Sequence, residues 1–503
     1  MQSFKIYYTS DIHGYLFPTD YTDQQEKALG LLKVIANFNK DGNTLVLDGG
    51  DIFQGSPYIN FFQKQQNYEQ GIAEIMNTAG YDVITLGNHD FNYSFQALKE
   101  NLSHLEAKVS TVNITDASGN LLFPSVIQTL ENGLKIGIVG ITTDFTNVWE
   151  NPQNIIDIRI NDPFEAARAA FERIKDTADV TICLYHGGFE ADLATGELLS
   201  ESGENVGYKI AKELSFDLLL TGHQHASIEG QYLFGTYIVQ PTNMGKNYFE
   251  IEGCLTENNL EIKSELKIPD NSYDKNLAEK LLPLEQEVQN FLSQPIGEIE
   301  APIAKQTHLE FAKKGSPWIE VVGAVEMLKG NADIAVVSSF NQLNPIPKSL
   351  TIRDIMSNYP YDNTLYIVKL NGQMLKAAIE HSAEYFSYSP NEGIVLNPRW
   401  LSPKVEHYNY DFFIGIEYVL DSRRPVGNRL VSLKYRQADV QPTDSFVVAL
   451  NNYRALGGGG YEVYQQASSV FNTGVEVQQL LIDYIQDNPK TEPPYQLKLT
   501  VLP

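Results

Sequence analysis

The sequence predicts an α/β protein with two domains joined by a helix. Its first half alternates short β-rich runs with helix-like stretches, which is the pattern of buried sheets covered by helices. A solitary amphipathic helix then precedes a second strand-rich region. A chain of 503 residues is also too long for one hydrophobic core. We therefore predict a first domain over 1–270, a linker helix over 271–294, and a second domain over 295–503.

The strands of the first domain are predicted from runs rich in Val, Ile, Leu, Tyr and Thr. Each run ends at a turn signal. The predicted strands are 4–10, 44–47, 83–86, 135–142, 180–185, 218–221 and 236–240.

The linker helix is predicted from a single apolar stripe. Apolar residues recur at 277, 281, 284, 288 and 291, with spacings of four and three, over a helix of about 274–293. Pro295 and Gly297 end the pattern. Strands of the second domain are predicted at 333–338, 365–370, 415–420, 430–435 and 445–450, and the glycines at 457–460 predict a tight loop.

Charge and composition exclude several classes of protein. With 63 acidic and 37 basic side chains, the net charge of −26 disfavours binding to a nucleic-acid polymer. No apolar run reaches 18 residues, so we expect no membrane span. Because the start lacks a basic and then apolar leader, we expect a cytoplasmic protein as written, or a periplasmic or secreted one if a signal was removed. The oligomeric state stays open.

Clusters of polar residues follow five of the predicted strands, and they contain five of the nine histidines. Open α/β sheets bind their ligands at the carboxyl ends of strands. The candidate ligands comprise two carboxylates, one amide and four imidazoles, namely Asp11, His13, Asp51, Asn88, His186, His223 and His225.

This mixed nitrogen and oxygen set suits Mn²⁺ or Zn²⁺, with Fe and Co²⁺ as alternatives, and disfavours an all-oxygen Mg²⁺ or Ca²⁺ cage. Seven ligands are too many for one ion but fit two, with Asp51 as the candidate bridge. A single histidine at a strand end is ordinarily a surface or core residue. Five such clusters in order are difficult to explain by turn chemistry alone.

The motifs D-x-H, GGD, GNH, HGG and GH-x-H resemble those of the calcineurin-type metallophosphoesterases, and more narrowly the bacterial 5′-nucleotidase and 2′,3′-cyclic-nucleotide phosphodiesterase family. The resemblance implies a four-layer α/β/β/α sandwich that holds two divalent metals, a linker helix, and a C-terminal nucleotide-binding α/β domain. It implies small-molecule nucleotides as ligands. The implied ligand sets are Asp11, His13, Asp51 and His225 for one ion, and Asp51, Asn88, His186 and His223 for the other.

The resemblance gives His89 and Asn92 roles in catalysis. Family members use a metal-bridging water or hydroxide as nucleophile. His89 would face the phosphate and stabilise its charge or protonate the leaving oxygen; the alternative is a second metal ligand. The 5′-nucleotidase branch orients this histidine with an aspartate three residues later, where this chain has Asn92. Asparagine there is a feature of the cyclic phosphodiesterase/3′-nucleotidase branch.

The predicted reaction is therefore hydrolysis of 2′,3′-cyclic nucleotides and 3′-nucleotides. The first alternative is a 5′-nucleotidase or UDP-sugar hydrolase, and the second is a catalytically idle nucleotide-binding module.

Two aromatic rings sandwich the base in this family, and Tyr461 and Tyr408 match those positions. Base stacking contributes roughly 1–3 kcal/mol and tolerates any base. With 28 tyrosines in the chain, ordinary strand packing is the alternative for either ring. The segment 337–344 lacks the arginine that helps the 5′-nucleotidase branch hold phosphate, which leaves Asn341 as the candidate contact there.

Overall fold

Strands and helices alternate along the chain as the sequence predicts, and the α/β fold class is confirmed. The computed structural model describes residues 1–63, 69–200, 202–257, 259–361, 363–402, 404–468 and 470–503. The chain divides into two units, Met1–Gln289 and Asn290–Pro503. The helix Lys275–Leu292 contains the division between them. Its predicted stripe is buried at Leu277, Leu281 and Val288.

The first unit is built on two six-stranded sheets. Its strands are β1 Gln2–Thr9, β2 Thr44–Asp48, β3 Val83–Ile84, β4 Lys108–Val109, β5 Thr111–Asp116, β6 Leu121–Phe123, β7 Val126–Thr129, β8 Lys135–Thr142, β9 Ile158–Ile160, β10 Val180–His186, β11 Leu218–Thr221, β12 Ile228–Leu233, β13 Thr236–Gln240, β14 Tyr248–Leu255 and β15 Leu260–Lys267. One sheet has the order β15-β14-β1-β2-β3-β4 and the other β12-β13-β11-β10-β8-β7, while β6-β5-β9 form a small third sheet.

Within each large sheet the central strands are parallel. Strands β1 to β4 run parallel in the first sheet, and β8, β10, β11 and β13 do so in the second. The helices of this unit are α1 Leu31–Ile35, α2 Pro57–Gln63, α3 Glu69–Ala79, α4 Phe95–Ser103, α5 Thr146–Trp149, α6 Pro163–Ile174, α7 Gly207–Glu213 and α8 Lys275–Leu292.

The hydrophobic core explains the layered arrangement. Side chains of both sheets pack into one buried cluster, in which Ile6 and Leu47 of the first sheet meet Ile138 and Leu184 of the second. Alternate residues of the second sheet, such as Cys183, face a separate cluster that includes helices α6 and α7. Because neighbouring side chains on a strand point to opposite faces, the buried runs of β8 and β10 serve both clusters.

Strands β14 and β15 were not predicted. They form an antiparallel hairpin in which β14 pairs with β1, so that the chain adds an edge to the first sheet. Buried and partly exposed residues alternate along β14 after Tyr248. That two-residue period is the signal from which the strand could have been recognised.

The second unit contains a five-stranded sheet of order β22-β17-β26-β19-β27 and a four-stranded sheet of order β25-β24-β23-β29. Its strands are β16 Pro295–Ile299, β17 Ile334–Ser338, β18 Ser349–Thr351, β19 Thr364–Asn371, β20 Phe386–Ser389, β21 Gly393–Leu396, β22 Asp411–Ile414, β23 Glu417–Asp421, β24 Leu430–Tyr435, β25 Ala438–Asp439, β26 Ser445–Asn451, β27 Val470–Glu476, β28 Lys490–Thr491 and β29 Lys498–Leu502. Its helices are α9 His308–Lys314, α10 Pro317–Gly330, α11 Ile352–Asn358, α12 Gly372–Ala383, α13 Asn452–Ala455 and α14 Val477–Asp487.

Among the residues that the structure describes, no helix has both the length and the apolar character needed to cross a bilayer.

Candidate dimetal centre

The seven predicted metal ligands lie at the carboxyl ends of parallel strands. Their positions are Asp11 and His13 after β1, Asp51 after β2, Asn88 after β3, His186 at the end of β10, and His223 and His225 after β11. The structure brings together six of them in two groups whose ligand atoms lie within 4.8 Å of one another. We call Asp11, His13 and His225 the first ligand group, and Asp51, His186 and His223 the second ligand group. Each group combines residues from both large sheets.

In the first ligand group, the imidazole nitrogens converge on a carboxylate. The Nε2 atoms of His13 and His225 are 3.1 Å apart, and His225 Nε2 is 3.3 Å from Oδ1 of Asp11. The opposite ring nitrogen of His13 donates to the carbonyl of Gln54, which directs Nε2 into the group. Two imidazole nitrogens that face each other beside a carboxylate form a donor set suited to one cation.

In the second ligand group, His186 is oriented from behind. Its Nδ1 donates to the carbonyl of Gly49 at 2.7 Å, while its Nε2 lies 3.2 Å from Oδ2 of Asp51. The Nε2 of His223 is 2.7 Å from Oε1 of Glu204, and the ring stacks on Trp149. Such outer contacts fix ring orientation and tautomer.

Asp51 lies between the two groups. Its Oδ2 is 3.2 Å from Nε2 of His186 in the second ligand group and 3.7 Å from Nε2 of His13 in the first. Its other oxygen accepts the backbone N–H of His89 at 2.8 Å. The geometry supports Asp51 as the carboxylate shared by two ions.

The backbone at these ligands is held in an unusual conformation. Of the twelve non-glycine residues with positive φ among those described, five are Asp11, His13, Asp51, His223 and His225. Left-handed backbone at such residues costs about 1–3 kcal/mol each and persists only where the surroundings enforce it. The concentration of this strain at the strand ends is typical of a functional site.

Two buried polar atoms support the fit of cations to the second ligand group. Within the described part of the chain, Oδ1 of Asn88 and Nε2 of His186 have no hydrogen-bond partner although both are buried. Unsatisfied buried acceptors are costly unless a ligand satisfies them. Asn88 is the one predicted ligand outside the two groups, and its amide oxygen is nevertheless an orphaned acceptor, as a ligand of a cation would be.

The charges of the site are mutually stabilised. Burial opposes ionisation of Asp51, but His186 and His89 outweigh it and hold the pKa of Asp51 well below its ordinary value. Burial lowers the pKa of His13 to about 4, so its imidazole is neutral near pH 7 and can offer a lone pair. Burial opposes protonation of His186, but the Asp51 carboxylate outweighs it and raises the pKa of His186 to about 10, so a cation bound there would displace a proton from Nε2.

Asp90, which the sequence analysis left without a role, organises the loop that carries Asp51. Its Oδ2 accepts the backbone N–H groups of Asp51 and Gly87, at 3.0 and 2.8 Å. Its Oδ1 accepts those of Ile52 and Phe53, at 2.8 and 2.9 Å. An aspartate next to a strand-end motif is itself a signal, because its side chain readily binds the backbone of turns.

His89 and Asn92 are hydrogen-bonded as the resemblance implies, and a further residue completes the chain. Nδ1 of His89 lies 2.8 Å from Oδ1 of Asn92, and Nδ2 of Asn92 donates to Oε2 of Glu150 at 2.6 Å. Glu150 follows α5 in the chain and is buried. No pattern in the sequence indicated it, because the contact joins residues 58 positions apart.

In the second unit, the two predicted stacking tyrosines differ in exposure. Tyr408 is half-buried, and its ring centroid is 6.3 Å from that of Tyr453. Tyr461 differs from the expectation: it is 1% exposed, its hydroxyl donates to the carbonyl of Asn409, and the guanidinium of Arg454 lies 4.2 Å from its ring centroid.

Tyr461 also stacks on Tyr464, at 5.6 Å between centroids. The reason for its burial is a tight turn at Gly458–Gly460 that folds the chain back over Arg454. With its ring enclosed, Tyr461 has no face exposed to a base. Tyr453, which precedes that turn and was not singled out, is a half-buried ring with its centroid 6.3 Å from that of Tyr408, as is Tyr361.

Two arginines of this unit, Arg454 and Arg353, make contacts within the unit. Arg454 is buried and pairs with Asp411, with Nε 2.7 Å from Oδ2 and Nη2 donating to Oδ1 at 2.9 Å. Arg353 donates to the hydroxyl of Ser293. Asn341 is exposed, and its amide donates to the carbonyl of Val405.

Comparisons with known proteins agree with this architecture. The family model described as calcineurin-like phosphoesterase matches residues 4–227, and that of the 5′-nucleotidase C-terminal domain matches residues 295–466. The chain is 27% identical to the trifunctional nucleotide phosphoesterase protein YfkN of Bacillus subtilis, over 96% of this chain and 38% of that protein. It is 24% identical to a 2′,3′-cyclic-nucleotide 2′-phosphodiesterase/3′-nucleotidase of Haemophilus influenzae, over 97% of this chain and 85% of that protein.

Among solved structures, a putative 5′-nucleotidase from Staphylococcus aureus, in complex with alpha-ketoglutarate, superposes with a TM-score of 0.93. The two chains are 30% identical, and the match covers 100% of both. The fold, the two family models and this relative agree with the resemblance noted from the sequence motifs. The chain belongs to the family of phosphoester hydrolases that join a calcineurin-like phosphoesterase domain to a C-terminal 5′-nucleotidase domain.

Proposed function

We propose that the protein hydrolyses nucleotide phosphoesters with two divalent metal ions, and that its preferred substrates are 2′,3′-cyclic nucleotides and 3′-nucleotides. The observation that carries the proposal is the position of Asp51 between the two ligand groups, 3.2 Å from His186 and 3.7 Å from His13. The relatives named as nucleotide phosphoesterases support the substrate class. Mn²⁺ or Zn²⁺ is the proposed metal, since the donors are imidazole and carboxylate.

Bound divalent ions would supply Lewis acidity to the phosphate and activate water for attack. The chain would hold them with the two ligand groups and Asn88, and Asp90 would keep the loop of Asp51 in place. His89 in its protonated form, held at Nδ1 by Asn92, would use Nε2–H to stabilise phosphate charge and to give a proton to the leaving oxygen. General acid catalysis of this kind contributes roughly 10²–10⁴-fold.

Asn92 supports the proposed activity as a cyclic phosphodiesterase and 3′-nucleotidase. A 5′-nucleotidase of this family would carry an aspartate there. The segment 337–344 also lacks an arginine, and Arg454 is committed to Asp411. Phosphate recognition would then depend on the metals, with Asn341 as a proposed polar contact to the substrate.

We propose that Tyr408 and Tyr453 bind the base, with Tyr453 replacing the enclosed Tyr461. Their centroids are 6.3 Å apart and their planes are inclined at 63°. A base held between parallel rings needs about 7 Å between them, twice the ordinary carbon contact distance. Binding a base would therefore require the two rings to turn from their 63° inclination towards parallel and to move slightly apart.

The test compares phosphate release from 2′,3′-cyclic AMP, 3′-AMP and 5′-AMP. The protein is stripped with chelator and restored with Mn²⁺ or Zn²⁺ in parallel, and chromatography follows opening of the cyclic substrate. His89→Ala is measured beside His104→Ala, a matched change at an exposed histidine that ends α4. We expect preference for the first two substrates, dependence on metal, and loss of activity in His89→Ala alone.

Preference for 5′-AMP or a UDP-sugar would retain the dimetal reaction and refute the substrate branch. Nucleotide binding without turnover in either metal would instead favour an idle binding module. Equal activity of the two histidine variants would remove His89 from the mechanism.

A further inference from the structure

Glu150 is buried, and its carboxylate accepts three hydrogen bonds from N–H groups. It is 5% exposed. Its Oε1 accepts the backbone N–H of Asn151 at 2.6 Å and Nδ2 of Asn154 at 2.8 Å. Its Oε2 accepts Nδ2 of Asn92 at 2.6 Å. Burial raises the pKa of Glu150, and the three N–H donors that converge on its carboxylate oppose that rise by stabilising the ionised form.

This arrangement fixes the direction of the whole hydrogen-bond chain. A carboxylate can only accept hydrogen bonds, so Asn92 must present its NH₂ group to Glu150. Its Oδ1 then faces Nδ1 of His89 and can only accept, so that the proton of a neutral His89 must lie on Nδ1. Nε2 is therefore the nitrogen available to a substrate: it bears the lone pair of the neutral ring and the transferable proton of the protonated ring, while Nδ1–H stays bonded to Asn92.

Asn154 fixes the backbone of Asn92. Its Nδ2 donates to the carbonyl of Asn92 at 2.7 Å as well as to Glu150, and its own carbonyl accepts the N–H of Phe95. Asn92 is thus held at both its side chain and its main chain. A site that needs one tautomer of one histidine requires such support.

We propose that Glu150 is a positioning residue for His89: it sets the orientation of the Asn92 amide, and through it the tautomer and direction of the imidazole. Glu150 thereby supplies the carboxylate that Asn92 does not carry, one hydrogen bond further from His89. The functional meaning of this inference rests on the proposed function, in which His89 acts on the phosphoester. The direction of the hydrogen bonds from Glu150 through Asn92 to His89 does not depend on which substrate the protein hydrolyses.

Glu150→Gln tests the direction of the chain. The oxygen of glutamine would stay with the two donors Asn151 and Asn154, and its NH₂ group would face Asn92. The Asn92 amide must then turn over and present its NH₂ group to His89. That change moves the proton of the neutral imidazole from Nδ1 to Nε2 and disfavours the protonated ring that donates to the leaving oxygen, because Nδ1–H would lose its acceptor. We expect kcat for the preferred nucleotide to fall by about 10² or more, with KM little changed.

Asn92→Asp in the Glu150→Gln background should restore the original direction. Aspartate at 92 would accept from both His89 and the glutamine NH₂ group. Asn92→Asp alone would place two acceptor-only carboxylates at the 2.6 Å contact and should lower kcat. We expect the double variant to be within about tenfold of the wild type, a non-additive rescue. Glu165→Gln, an exposed change in α6 of the same unit, is the matched control.

The tautomer itself is measured without substrate. ¹⁵N-histidine NMR of the zinc-loaded protein, which is diamagnetic, distinguishes Nδ1–H from Nε2–H, and the His89 signals are assigned by their loss in His89→Ala. We expect Nδ1–H in the wild type and the double variant, and Nε2–H in Glu150→Gln.

If Glu150→Gln keeps both the His89 tautomer and the kcat of the wild type, the inference is overturned. A loss of kcat that the double variant does not recover and that leaves the tautomer unchanged would overturn it as well, since that is the signature of a merely structural role. If the wild type hydrolyses no nucleotide but Glu150→Gln reverses the tautomer, the proposed function fails and the positioning role stands.

Discussion

Asp90→Asn should release part of the loop that holds Asp51. The wild-type carboxylate accepts four backbone N–H groups, those of Asp51 and Gly87 on one oxygen and those of Ile52 and Phe53 on the other. An asparagine amide can accept at one oxygen only. One pair of buried N–H groups therefore loses its acceptor and faces an NH₂ group. At about 1–3 kcal/mol for each, the local cost is about 2–6 kcal/mol.

Hydrogen–deuterium exchange measures this cost at the amides that bear it. Since 1.4 kcal/mol corresponds to a factor of ten, even 2 kcal/mol should accelerate exchange about 30-fold at one of the two pairs. Metal-free protein at pH 8 is appropriate, because burial and the Asp51 carboxylate raise the pKa of Asp90 to about 6. Asp176→Asn, at an exposed position after α6, is the matched control.

Metal affinity provides a second readout for Asp90→Asn. The loop should no longer hold the left-handed backbone of Asp51, for which φ is 57°. We expect weaker binding of Mn²⁺ in a chelator-competition titration. Unchanged exchange at all four amides, with unchanged metal affinity, would refute the view that Asp90 organises the site.

The remaining predictions concern the metals, the base and pH. Metal analysis should find two ions per chain, and Asp51→Ala should weaken both sites whereas Asp11→Ala weakens one; equal losses in the two variants would argue against a shared carboxylate. Tyr453→Ala should raise KM about 5- to 150-fold with kcat little changed, since base stacking contributes roughly 1–3 kcal/mol, and an unchanged KM would argue against Tyr453 as a base contact. Tyr461→Phe should lose about 1 kcal/mol of stability in urea unfolding, because it removes the hydrogen bond to Asn409, and unchanged stability would contradict that role. Burial raises the pKa of Asp48 to about 8, so the folded protein retains a proton that the unfolded chain releases near pH 4, and stability should decline as pH rises from about 4 to 8. Asp48→Asn should flatten that decline in thermal unfolding of metal-free protein, and parallel pH profiles for variant and wild type would contradict the assignment.

The fold class could be predicted because its signal is local. Strands such as Lys135–Thr142, Leu218–Thr221 and Thr236–Gln240 have the predicted bounds, since buried parallel strands are continuous apolar runs ended by turn residues. The hairpin of β14 and β15 was missed because edge strands mix apolar and charged residues. The division into a linker helix and two domains followed from the change in hydrophobic period.

The candidate metal ligands could be predicted for a related reason. Polar residues directly after buried parallel strands must lie at one edge of a sheet, whatever the rest of the chain does. Residue spacing did not indicate which ligands meet across the two sheets, since His13 and His225 are 212 positions apart, and only the family resemblance implied those sets. That contact exists only because the two sheets pack face to face.

The sequence by itself determined the α/β architecture, the residues at the strand ends and the chemical class of the site, because each depends on short-range pattern and residue type. Only the tertiary structure decided which tyrosine is enclosed and which lies beside Tyr408, and that Asn92 is backed by Glu150. Burial of a ring and the direction of a hydrogen bond depend on what packs against them. Those neighbours come from distant parts of the chain, such as Arg454 against Asp411 and Asn92 against Glu150.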